Sequence, residues 1–201
     1  PPPPPPPPAP PPPARPLPDP PHTEQHIGGL AGPVAVLLFH HDDPVLARSA
    51  AHEHRELTHR GPAMAAALDA VADVLLPVLA GEPLRETLDT ARARSDNRLL
   101  RHDYARWERL DDLEVIGRLH SPACYVDDSV PAKLYLARKY ADRPEDGLVA
   151  NTMAGGDNCY RGAVLGALLG AASGVARWPE RWRRGLRYQP ALPKRQERAD
   201  A

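Results

Sequence analysis

An all-α fold is what this sequence predicts, and three observations carry that reading. Alternating runs of β-branched and aromatic residues are absent, and a half-buried strand needs such runs. Proline recurs where helices begin, at Pro44, Pro62, Pro131 and Pro144; its fixed φ and missing N–H suit a first helical turn. Met64, Leu68, Val71, Leu75 and Val78 recur at spacings of three and four, which draws one apolar stripe along a helix.

Taken in order, residues 1–21 are almost all proline. Such a stretch cannot enter a helix or sheet interior and is expected to be a disordered, solvated polyproline II tail. It is either inert or a ligand for a polyproline-reading domain. It carries no initiator Met and no charged-then-apolar leader, so the chain is expected to be a fragment, incomplete at its N-terminus. Residues 22–188 make one helical domain, of a length that supports a core. Residues 189–201, charged and mixed in sign, are expected to be a disordered C-terminal tail.

Within the domain, Pro33 to Phe39 suits a buried helix. Asp43 before Pro44 is a good cap and opens a helix to about Arg55. Gly61 and Pro62 open the long helix to Leu79. A break at Gly81 to Pro83 is followed by helices over Leu84–Arg94 and Tyr104–Leu119. Asp128 or Ser129 caps a helix over Val130–Tyr140, and Pro144 starts a short one ending at Met153.

Gly155, Gly156 and Asp157 then stand where a loop becomes a helix. Glycine follows at 162, 166, 170 and 174, one above the other on a single helical face. Each costs roughly 1 kcal/mol of helix stability against alanine. The row therefore predicts a face that another backbone approaches closely, with the first turn facing a site. The apolar run 163–176 is too short to span a bilayer, which takes about 20 residues, so no membrane partner is expected.

The formal net charge is −1, which gives no reason to expect nucleic acid. Two cysteines do not make a secreted disulfide framework. A cytoplasmic or organellar, non-secreted protein is the expectation.

Asp157 has two readings, a metal or ligand carboxylate and an N-cap for the following helix. Cys159 sits near a helix N-terminus, where a thiol's acidity can rise. A redox or regulatory cysteine, paired with Cys124, is one reading, and a small buried hydrophobe is the favoured one. His52 and His54 lack the i, i+4 spacing of a helical metal pair and read as surface residues. Asp128 of the pair Asp127–Asp128 is explained by capping.

The stretch Asn151 to Gly162 resembles the C-terminal signature of the ADP-ribosylglycohydrolase family, Gly-Gly-Asp-Thr-Asp-Thr before a Gly/Ala-rich helix. Asn158, Cys159, Arg161 and Gly162 are closer to its J-type crystallin branch. Other segments fit in order over about residues 24–188: Gly32 to Asp43, the Leu-Thr-His at 57–59, Cys124 to Ala132, and Trp178 to Trp182. The resemblance implies an all-α ADP-ribosylglycohydrolase-like fold and hydrolysis of ADP-ribosyl N- or O-glycosidic bonds. It implies Mg2+ held partly by this signature, with Asp157 and Cys159 at the ligand positions and Tyr160 where a Ser or Thr belongs. Gly155, Gly156, Asn158, His59 and Tyr125 fall at candidate substrate-binding positions; for His59, a solvated capping turn before Pro62 is the alternative reading and the preferred one. ADP-ribose or an ADP-ribosylated protein is the implied partner. A thiol suits zinc or copper better than magnesium, and the family's other ligands and acid belong to a half that would precede this chain. The rival reading is a non-catalytic structural protein of crystallin type.

Overall fold

The computed structural model describes residues 24–186. The proline tail, residues 22, 23, 187 and 188 of the expected domain, and the tail 189–201 lie outside the described residues. Ten α-helices and two 3-10 turns make up the described fold, and among the described residues no strand occurs, only two isolated bridges.

A 3-10 turn at Ile27–Leu30 leads into α1, Ala31–Phe39. Its buried side is Pro33, Val34 and Leu37. The expected burial of this helix holds only on that side, because Phe39 is 81% exposed at the corner before α2. α2 spans Pro44–Glu56, with Asp43 Oδ1 accepting from the N–H groups of Val45 and Leu46 at 3.1 Å. α3, Pro62–Leu79, starts and ends where the pattern places it. Met64, Leu68, Val71, Leu75 and Val78 are all buried. α3 is long and apolar enough to cross a membrane by composition, yet here it is the central core helix, touching α1, α2, α4, α7 and α9.

α4 is Leu84–Arg94. The single helix expected over 104–119 is instead two short ones, α5 at Tyr104–Trp107 and α6 at Asp112–Val115. The side chains of Asp103 and Asp111 each cap a new start, and these local bonds compete with helix continuation. Asp112 then accepts from Tyr135 Oη and Tyr140 Oη at 2.6 Å and from Lys139 Nζ at 2.8 Å, which ties α6 to the next helix.

That helix, α7, spans Val126–Lys139 and starts four residues before the expected point. Neither Asp128 nor Ser129 caps it. Ser129 Oγ donates to the Ala123 carbonyl at 2.9 Å, and Asp128 turns to His120. Pro131 lies inside the helix instead of in its first turn. α8 is Pro144–Met153, as expected, and α9 is Asn158–Ser173. Gly174, at φ 70°, ends α9 and so leaves the glycine row. A 3-10 turn at Val175–Arg177 and α10, Glu180–Gly185, close the fold. Arg181 of α10 pairs with Glu145 of α8.

Among the described residues, the glycine row does not meet another backbone. A Cβ on Gly162 would lie 3.1 Å from Asn151 Nδ2, one on Gly170 3.8 Å from Trp178 Nε1, and one on Gly166 would meet nothing within 4 Å. The close approach predicted for this face is therefore absent along most of its length.

Candidate functional site

The head of α9 is built on two consecutive left-handed glycines, Gly155 at φ 69° and Gly156 at φ 63°. Glycine adopts that conformation without the clash a Cβ brings. The two differ in surroundings. A Cβ on Gly155 would meet open space, whereas one on Gly156 would lie 1.9 Å from the Pro122 carbonyl oxygen. That carbonyl also accepts from the Asp157 N–H at 3.1 Å. The loop before α7 is thus the platform on which the glycine loop rests.

Arg161, one turn into α9, fastens the arrangement from inside. It is fully buried. Its Nε donates to Asn151 Oδ1 at 2.6 Å, its Nη2 to the carbonyls of Asn151 at 3.1 Å and Gly155 at 2.8 Å, and its Nη1 to Pro122 at 3.2 Å. Asn151 Nδ2 in turn donates to the Asn158 carbonyl at 2.9 Å. One side chain therefore joins α8, the glycine loop and the loop before α7. Burial pulls the Arg161 guanidinium below its ordinary value, and Asp157 opposes this. Lys133 of α7 lies in the same field: it is fully buried, and its Nζ has no hydrogen-bond partner among the described residues. Burial, then Arg161, pull its amine well below the usual range, while Asp157 acts the other way.

Asp157 serves as the N-cap of α9, accepting from the Tyr160 N–H at 3.5 Å. Its capping reading therefore has direct geometric support. Cys159 is exposed, and neither cysteine is in a disulfide. The favoured reading of Cys159 as a buried hydrophobe fails, because the first turn of α9 points it outward; Cys124 is the partly buried one, packed against the core. Tyr160 lays its ring on Gly28, where a Cβ would lie 3.3 Å from Cδ2.

The other expected site residues gather around the 3-10 turn at Ile27–Leu30. His59 packs its ring on Gly29 so closely that a Cβ there would lie within 2.8 Å of three ring atoms. His59 Nδ1 is 2.9 Å from Thr58 Oγ1. Tyr125 is 54% exposed and meets His26 edge-on, with ring centroids 5.2 Å apart. The backbone clips the two segments together: the Ile27 N–H donates to the Cys124 carbonyl at 2.7 Å, and Val126 N–H to that of Gln25 at 2.9 Å. The structure thus seats Tyr160 on Gly28 and His59 on Gly29, brings Tyr125 to the same turn through His26 and the Ile27–Cys124 clip, and joins Tyr125 to Gly156 and Asp157 through the Pro122–Cys124 segment. Asn158 contributes its backbone to the loop. Gly28, Gly29, Arg161 and Lys133 were not singled out from sequence as site residues. The adjacent glycines at 28–29 were the available signal for the first two; nothing in spacing marks the two buried basic side chains.

His52 is not a free surface residue as expected. It is half-buried, its Nε2 2.8 Å from Asp69 Oδ1, joining α2 to α3. The exposed His54 lies against Gly32.

The donor set does not fit a magnesium ion. Asp157 brings one carboxylate, Cys159 a soft thiol and Tyr160 a phenol, whereas a hard cation takes several carboxylate and carbonyl oxygens. Two buried basic side chains, Lys133 and Arg161, lie in the same field. Among the described residues no three His, Cys, Asp or Glu side chains are grouped to hold a metal ion.

A search of curated proteins finds no match. The family model described as ADP-ribosylglycohydrolase matches residues 22–200. With that match spanning nearly the whole chain, and with the all-α fold and the Gly-Gly-Asp loop at the head of a Gly/Ala-rich helix, the chain belongs to the ADP-ribosylglycohydrolase family.

Proposed function

We infer that this chain is glycohydrolase-like in recognition, taking an ADP-ribosyl group on the surface formed by Gly155, Gly156, Asn158, Tyr125 and His59, and that it does not complete hydrolysis by itself. The observation that carries this reading is the state of the first turn of α9. Asp157 caps its own helix, Cys159 faces outward and Tyr160 is turned onto Gly28. Among the described residues no metal-holding cluster forms there, and the Asp157 carboxylate is engaged as a cap. The open space above Gly155 and the half-exposed Tyr125 ring leave room for a ribose and an aromatic face for a base. Magnesium is the metal the family resemblance implies, and Asp157 is the one donor of matching type.

A second reading, a structural protein of crystallin type, is favoured by Arg161. Its four bonds make the glycine loop a fixed part of the core.

The test is binding of free ADP-ribose by calorimetry, together with release of ADP-ribose from peptides modified on arginine or serine. The expected result is binding weakened by Tyr125→Ala, with release no faster than in the absence of protein. Release above that background, abolished by Asp157→Ala, overturns the non-hydrolytic reading. Absence of binding overturns recognition and leaves the structural role.

A further inference from the structure

The segment from α5 to α7 carries a second constellation, separate from the glycine loop. His120 stands at its centre. Its Nδ1 is 3.2 Å from Asp128 Oδ1, its side chain is 10% exposed, and its Nε2 is buried without a hydrogen-bond partner among the described residues. The His102 ring meets it edge-on, with centroids 5.4 Å apart. Trp107 lies against both imidazoles, its ring 5.0 Å from each. Tyr104 closes the group on His102 and Trp107, its own Oη donating to the Leu99 carbonyl at 2.7 Å. Two residues past His120 comes Pro122, whose carbonyl accepts from Arg161 and Asp157 and abuts Gly156. The histidine pair and the glycine loop thus share one short piece of backbone.

We propose that His102 and His120 form an acid-sensitive latch that holds the His120–Pro122 segment against the glycine loop when the pair is not doubly charged and loosens it when both imidazoles are protonated. The charges facing the pair decide this. Among the described residues, Asp128 from α7 is the carboxylate paired with the two imidazoles, and it is engaged with His120. Tyr104 of α5 and Tyr135 of α7, which packs on Trp107, are neutral, and Arg92 of α4 acts on Tyr104 as a further positive charge. Asp127 is taken by Arg98 at 2.6 Å. One carboxylate balances one imidazolium. A second imidazolium at 5.4 Å, partly removed from water, meets repulsion that solvent does little to screen.

The titration of His102 supports this direction. Burial, and then His120, hold its imidazole below the ordinary value of 6.5. The unfolded chain therefore binds the proton first as pH falls. The contribution to stability is fully present above the unfolded value, and is lost as pH drops from there toward the folded one. The inference is independent of ADP-ribose binding.

The test uses the whole chain without ligand. Thermal unfolding and hydrogen exchange at the Asp157 amide, corrected for intrinsic rate, are compared between about pH 7.5 and about pH 5.5, either side of the ordinary imidazole range. The wild-type midpoint is expected to fall by roughly 2–4 °C, with reduced protection at Asp157. His102→Gln is expected to remove most of both changes. His102→Phe keeps the ring contact without a titrating group and serves if His102→Gln does not fold. An unchanged wild-type midpoint overturns the latch, as does a fall of equal size in the folded variant. If neither variant folds, wild-type exchange at the Asp157 amide decides: protection that is unchanged between the two pH values overturns the latch, and protection lost in step with the His102 ring-proton titration upholds it.

Discussion

α3 and α9 are both built from small and apolar residues, and they are held in opposite ways. α3 is gripped along its length. Ten of its side chains, from Met64 to Val78, are buried among neighbouring helices. α9 is gripped at its head and on one side. Arg161 fastens its first turn with four hydrogen bonds, and Val164, Leu165, Leu168 and Leu169 supply the core contact. Its glycines are mostly off that contact, with Gly166 open. A periodic row of small residues therefore does not by itself demonstrate close helix approach. What decides is whether another element occupies the space above the row, and that is a property of the assembled fold.

Substitutions in α9 and in the glycine loop before it break or sharpen this contrast. The largest effect is expected at Arg161. Arg161→Met keeps much of the volume but removes the donors from oxygens of Asn151, Gly155 and Pro122. The Pro122 carbonyl keeps the Asp157 N–H, but the Asn151 and Gly155 oxygens lose the Arg161 donors; a buried acceptor without a partner costs about 1–3 kcal/mol, so a loss on the order of 3 kcal/mol is expected in urea unfolding. A loss under about 1 kcal/mol, within the range of ordinary surface changes, shows that α9 is held along its side in the manner of α3.

A smaller effect is expected at Gly156. Alanine there must adopt a left-handed φ with its Cβ driven into the Pro122 carbonyl. Overpacking of that kind costs about 1–3 kcal/mol, and the same change at Gly155, where the space is open, is expected to cost less. Equal losses at both, read from their denaturation midpoints, imply that backbone conformation alone matters and that the Pro122 platform contributes little.

The smallest effect has the opposite sign. Gly166→Ala is expected to raise stability by up to about 1 kcal/mol, because the added methyl meets nothing within 4 Å. A lowered midpoint restores the close-packed face that the spacing of the glycines suggests.

Much of the fold was legible because it rests on local rules. The starts at Pro44, Pro62 and Pro144 and the ends at Leu79, Arg94 and Met153 follow from capping, from the fixed φ of proline and from helical periodicity. The stretch 104–119 misled because its charge density hides where helix stops. Asp103 and Asp111 each open a new turn, and Asp112 is recruited by Tyr135, Tyr140 and Lys139 from a distant helix. The start of α7 was set by the clip between Gln25–Ile27 and Cys124–Val126, a pairing across about a hundred residues that no local motif announces. At the site, Gly155, Gly156 and Asp157 were visible as a loop-to-helix junction. The capping use of Asp157 was one of two open readings, and only the side chain's orientation favours it.

By itself, the sequence determined the all-helical class, most helix ends and the family, because these depend on residue type and on spacing within a few turns. Tertiary structure decided which faces are filled. It left the glycine row open, turned Cys159 outward, and seated His59 and Tyr160 on Gly29 and Gly28. It also placed the unpartnered amine of Lys133 and the guanidinium of Arg161 in the field of Asp157. Burial and charge are summed over neighbours from every part of the chain, so the residues that hold the site together carry no signature of their own until the chain is folded.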